Sequence, residues 1–165
     1  MTEKLDPRDI VRDHFSTLKN ARTGKTSTLD VLVFFGLPGI FGIAFLLVTA
    51  EGYSNDASTL WIAALSVLAG LLINVLVLLY TVQTVGPTPQ EHDDQKAVIK
   101  EVNANLLYAI LIAILAICAL CGSPMMPTKL SHWLGAIITF LIGNFMLTLL
   151  MTVKRIKLLV GMRFS

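Results

Sequence analysis

Residues Leu60–Val82 read LWIAALSVLAGLLINVLVLLYTV, 23 positions with no Asp, Glu, Lys, Arg or His among them. An α-helix rises about 1.5 Å per residue, so this run covers about 35 Å and can cross a hydrocarbon core of about 30 Å. Three other runs flank it: Val31–Ala50 with 20 residues, Leu106–Leu120 with 15 and Leu134–Val153 with 20. The third is short, but Ala104, Cys121, Gly122 and neighbouring asparagines extend it to about 104–122.

Composition points the same way. The chain of 165 residues is 55% apolar and 15% charged, with a mean hydropathy of +0.72, where a soluble domain carries about 25% charged residues. Too little chain lies outside the apolar runs for a soluble enzyme with an appended anchor. No signal peptide is expected, because 30 residues precede the first run and that run is too long for an h-region. The expected fold is an all-α integral membrane protein. It has four transmembrane helices at about 31–50, 60–82, 104–122 and 134–153, an amphipathic N-terminal helix and a cytoplasmic extension of the third helix. The expected organisation is a cytoplasmic N-terminal segment over 1–29, the transmembrane domain over 30–153 with a cytoplasmic helix at 88–105, and a basic tail over 154–165.

The basic residues set the direction. Lys4, Arg8, Arg12, Lys19, Arg22 and Lys25 precede the first run, Lys96 and Lys100 lie in the second loop, and Lys154, Arg155, Lys157 and Arg163 follow the fourth run. Only Lys129 falls on the other side, a division of twelve to one. By the positive-inside rule both termini and the second loop are expected in the cytoplasm of a multi-pass protein of the bacterial inner membrane. Trp61 and Trp133 then mark the outer interface, with Tyr80 and Tyr108 near the inner one.

What the runs lack restricts function. Proton- and cation-coupled transporters keep ionisable groups at membrane depth, and an intramembrane hydrolase needs a base beside its nucleophile. Neither is present in the apolar runs. Cys118 and Cys121 have redox CxxC spacing but no second pair to relay electrons, and read as apolar filler. Gly24-Lys25-Thr26 lacks the earlier glycine and strand of a phosphate loop. Glu91-His92-Asp93-Asp94 puts adjacent side chains in different directions on a helix, unsuited to one metal. No catalytic residue, metal or cofactor is expected.

Two amides remain at depth, Asn74 and Asn144, within about 6 Å of one level at 1.5 Å per residue. They form either interhelical hydrogen bonds or a polar ring lining a pore between copies. Gly36, Pro38, Gly39 and Gly42 in the first run are either close-packing positions or a gating hinge, since proline breaks the helix ladder and glycine admits close approach.

The cytoplasmic segments carry the remaining signal. Thr88-Pro89-Gln90-Glu91 is a capping box with proline at the first helical position. A helix starting there runs unbroken through the third span to about Cys121. Its stripe Val98, Ile99 and Val102 needs a cover from this chain or from a neighbouring copy. The N-terminal helix after Asp6-Pro7 is one candidate, with Val11, Phe15 and Leu18 on one face. Arg8, Arg12, Lys154, Arg155 and Lys157 are candidate contacts for anionic lipid or an acidic ligand.

A basic tail, then Asp30 and Phe34-Phe35-Gly36-Leu37-Pro38 opening the first of four spans, resembles small membrane effectors of bacterial phage defence, with the Hailong-type effector as the nearest likeness. That resemblance implies an oligomeric channel. It is held shut by single-stranded DNA oligomers from a partner nucleotidyltransferase and opens during infection to depolarise the membrane. It transfers no ligand-binding residue. The expected function is accordingly an oligomeric pore-forming effector, a homo-oligomer expected as a tetramer, gated from the cytoplasm by a nucleic-acid-like or nucleotide-type ligand or partner. A non-catalytic membrane scaffold or accessory subunit is the alternative, and a small transporter comes third.

Overall fold

A computed structural model describes residues 7–17, 31–84 and 93–163, and among them every regular element is helical. Helix α1 is Arg8–Thr17, α2 is Leu32–Val48, α3 is Asn55–Thr84, α4 is Asp93–Gly122 and α5 is Thr128–Arg163. Three of them, α3, α4 and α5, are long and apolar enough to cross a membrane, whereas α2 is a shorter apolar helix. The capping box Thr88–Glu91, Asp30, Leu18, Gly24-Lys25-Thr26 and His92 lie outside the described residues.

Helix α4 is the centre of the array. Val102, Leu106, Ala109, Ala113, Ala116 and Leu120 alternate at intervals of four and three, and all six are fully buried. The alanines let neighbouring backbones approach closely, which is how helices associate where lipid removes the hydrophobic drive. Helix α3 packs on one side of α4, α5 on another and α1 against its first half, while α2 packs on α5. The order across the array is therefore α3, α4, α5, α2. It differs from a closed four-helix bundle, because an apolar cleft of about 530 Å³ separates α2 from Trp61 of α3.

Helix α3 begins at Asn55, five residues before its apolar run, and two other boundaries differ from the sequence expectation for local reasons. The first apolar run extends to Ala50, but α2 stops at Val48. There Thr49 turns extended, with its N–H and hydroxyl both donating to Phe45 O at 3.0 and 2.7 Å. Helix α5 begins at Thr128, six residues before its apolar run, because Pro127 ends the preceding turn and its carbonyl accepts Ser131 N–H at 2.9 Å.

The α2–α3 connection passes so close to α5 that only glycine fits. A Cβ on Gly52 would overlap the Ser131 hydroxyl and stand 2.7 Å from the Ser131 carbonyl oxygen, which belongs to helix backbone. Gly52→Ala is expected to destabilise the protein by about 1–3 kcal/mol through overpacking, read as a lower thermal midpoint in detergent.

Candidate functional site

Pro38 organises the start of α2. It has no N–H for the carbonyl four residues back, and its ring would crowd that carbonyl. The carbonyl belongs to Phe34, and Leu32–Gly36 is wound as a π-helix, which re-aims it. Asn144 on α5 then donates through Nδ2 to Phe34 O at 3.2 Å. Asn144 is buried inside the chain, and its own Oδ1 has no hydrogen-bond partner among the described residues. Here the amide closes the bond that proline opened, and it stands between two helices of one chain rather than on a free face. Asn144→Leu is expected to cost about 1 kcal/mol. That cost should shrink in a Pro38→Ala background, where residue 38 regains its own N–H for Phe34 O. Thermal unfolding of the double-mutant cycle reads both values.

The glycines beside Pro38 divide by role. A Cβ on Gly42 would come 3.0 Å from the Ala136 carbonyl oxygen on α5, so Gly42 is a close-packing position. Gly39 faces open space, and Gly36 meets only the Leu32 side chain at ordinary contact distance.

The second arrangement is the seat of α1. The expected inward face is Val11, Phe15 and Leu18 with Ile10 beside them; Ile10 and Val11 do pack against the core, Leu18 lies outside the described residues, and Phe15 departs from the expectation. His14 and Thr17 are buried, Ile10 and Val11 are half-buried beside them, and Phe15 stays 38% exposed while stacking on Phe35. The His14 ring lies flat on Tyr108 of α4, with centroids 3.8 Å apart and planes 1° from parallel. Its Nδ1 is 2.8 Å from Asn105 Oδ1. The Thr17 hydroxyl, with one hydrogen to give, sits 2.7 Å from His14 O and 3.0 Å from the same Asn105 oxygen. Burial, offset in part by the Asn105 hydrogen bond and reinforced by nearby Arg155, lowers the His14 pKa from 6.5 to about 4. The ring is therefore neutral at pH 7, and Nδ1 is its donor. Nε2 and Asn105 Nδ2 are buried without partners among the described residues.

Arg155 ties three elements together. It pairs with Glu101 of α4 through Nη1 and donates from Nη2 to Thr17 O at 2.7 Å. Its side chain is only 14% exposed. The other basic candidates differ. Arg8 and Arg12 lie on the exposed side of α1, where Arg12 reaches Asp9 at 3.8 Å, a solvent-exposed pair of little energetic weight. Lys154 and Lys157 are exposed on α5. Between α2, α4 and α5 lies a cleft of about 520 Å³, with Lys154, Arg155 and Glu101 among its lining residues.

The stripe on α4 is corrected at one position. Val102 is fully buried within the chain, so a neighbouring copy has no access to it, while Val98 and Ile99 are half-buried. Helix α1 packs on α4 from the same chain, and α5 reaches this stretch through the Arg155–Glu101 pair.

Asn74 is placed unlike Asn144. It is exposed on α3, the least covered of the three long apolar helices: 17% of its most apolar stretch is buried, against 44% for α4 and 39% for α5. Ala63, Ser66, Gly70 and Asn74 follow at intervals of three, four and four, all exposed, so they share one face. A Cβ on Gly70 would meet nothing within 4 Å. No contact with a described residue requires glycine there.

His14, Asn105 and Thr17 were missed by sequence reasoning. The spacing Val11, His14, Thr17 does repeat every three residues, but two of the three are polar, and polarity argued for the outer face. Compared with protein-family models, curated proteins and solved structures, the chain has no match in any of the three.

Proposed function

We propose that the chain is the subunit of a homo-oligomeric ion channel in the bacterial inner membrane, with α2 as a fourth span and both termini in the cytoplasm. The observation that carries this reading is the exposed face Ala63, Ser66, Gly70 and Asn74 on α3. An amide with no hydrogen-bonding partner in hydrocarbon costs several kcal/mol, and Asn74 in an isolated subunit would face lipid. Small residues at spacing four on the same face admit a second backbone. In a closed ring of copies this face is turned inward, and the amide meets water or its counterparts.

The topology rests on the twelve-to-one division of basic residues. Helix α2 spans about 25 Å at 1.5 Å per residue, a shortfall that local bilayer thinning accommodates. The cytoplasmic end holds α1, the Arg155 pairings and the exposed basic side chains of Arg8, Arg12 and Lys157, where an acidic regulator would bind. The resemblance to phage-defence effectors makes a single-stranded DNA oligomer the regulator to try first, with depolarisation as the outcome.

Recording from the purified chain in planar bilayers tests the proposal. Discrete current steps from a protein that native mass spectrometry finds as a multimer support it. A monomer, or a multimer without current, leaves a scaffold subunit as the function.

A further inference from the structure

The cleft between α2, α4 and α5 joins two chemistries along one axis. Val33, Leu147, Leu150 and Met151 form apolar wall, and Lys154 and Arg155 stand at its charged end. Leu147 and Lys154 are seven residues apart on α5, about 10 Å along the axis. An occupant lying in the cleft therefore meets hydrocarbon over one length and cations at the end. The charge does not cancel. Glu101 is neutralised by its pairing with Arg155, while Lys154 has no ion pair among the described residues. Lys157 stands three residues further along the same helix.

We infer that this cleft is a binding site for one anionic phospholipid. Its phosphate sits at Lys154 and the accessible edge of Arg155, and one acyl chain lies against Val33, Leu147 and Leu150. Position argues for a lipid: the cleft straddles the point where the apolar run Leu134–Val153 gives way to Lys154-Arg155. Leu150, 66% exposed, leaves it open to the side. Charge argues for an anionic headgroup, since a lysine at the membrane surface attracts a net negative lipid, and a zwitterionic headgroup would carry its ammonium toward the same cations. Arg155 also holds the Thr17 carbonyl, so the bound lipid and docked α1 share one residue. The inference rests on the membrane reading and not on conduction.

The test uses the full chain in non-ionic detergent, with bound lipid counted by native mass spectrometry. Dioctanoyl phosphatidylglycerol, dioctanoyl phosphatidylcholine, inorganic phosphate and a single-stranded oligothymidylate are the probes. The expected result is one phosphatidylglycerol per chain, held more tightly than phosphatidylcholine and displaced by neither phosphate nor the oligonucleotide. Lys154→Gln should weaken that binding about five-fold. Leu150→Trp, at an exposed position that tolerates a larger side chain, should block it by filling the cleft. Lys100→Gln makes the same charge change on α4 away from the cleft and should leave affinity as it was. Equal affinity for the two lipids overturns the inference, as do equal losses in the Lys154 and Lys100 variants. Displacement by the oligonucleotide assigns Lys154 to a nucleic-acid site instead, and binding of phosphate alone assigns it to a small anion.

Discussion

Asn74→Leu is expected to reduce single-channel current about ten-fold, because a constriction ringed only by Leu and Ile opposes ions by dewetting. Fold and stability of the isolated chain should not change, since Asn74 is exposed and makes no hydrogen bond to another described helix. Gly70→Ile supplies the complementary loss. The added Cβ meets no described residue within 4 Å and the position is exposed, so the subunit should fold as before while native mass spectrometry shows fewer multimers. The two variants separate conduction from assembly. Unchanged current in Asn74→Leu, at equal insertion, removes Asn74 from the ion path. Unchanged assembly in Gly70→Ile shows that copies do not meet through this face of α3. The same substitutions on the buried side behave differently: Leu65 and Leu72 are packed against α4, and changes there strike the subunit first.

How much of this was legible in the sequence depends on how local the cause is. Apolar run length depends on neighbouring residues alone, and α3, α4 and α5 follow from it. The unbroken passage of α4 from Asp93 into its apolar half was also readable, since no Gly or Pro interrupts that stretch. Boundaries moved where capping overruled hydropathy, at Thr49 and at Pro127. Long-range pairings were not legible. Pro38 and Asn144 each stood out, one as a helix break and one as an amide at depth. That one completes the other across 106 positions is a fact of packing. His14 illustrates the same limit. A lone histidine among Arg and Asp on a short helix reads as solvated surface, and only the flat ring of Tyr108 and the amide of Asn105 give it a reason to turn inward. Val102 was expected to need a cover, and the sequence left open whether this chain or a neighbour supplied it.

Acidification is expected to release α1 from the array. A histidine in the undocked segment titrates near 6.5, and His14 in place titrates at about 4. Between those values the undocked form takes up a proton that the docked form refuses, so the linkage has one sign. Docking is at full strength above about pH 6.5, weakens as the pH falls, and reaches its floor near pH 4. Two and a half pKa units correspond to about 3 kcal/mol. A helix of ten residues is too short to be stable alone in water, so its order depends on its docking contacts. The charged and titratable groups around the ring are Arg155 and Glu101, with Tyr108 stacked on it and neutral Asn105 and Thr17 bonded to the same cluster. A spin label on a cysteine replacing Ser16, exposed on α1, should be ordered at pH 7.5 and mobile at pH 4.5. His14→Leu should abolish the difference between the two pH values, because it removes the proton acceptor while keeping an apolar side chain against Tyr108. Glu101→Gln isolates any share owed to the Arg155 ion pair, and it should leave the pH response in place. A label equally ordered at both values in the unaltered protein would mean that α1 is held by Arg155 and Thr17 rather than by neutral His14.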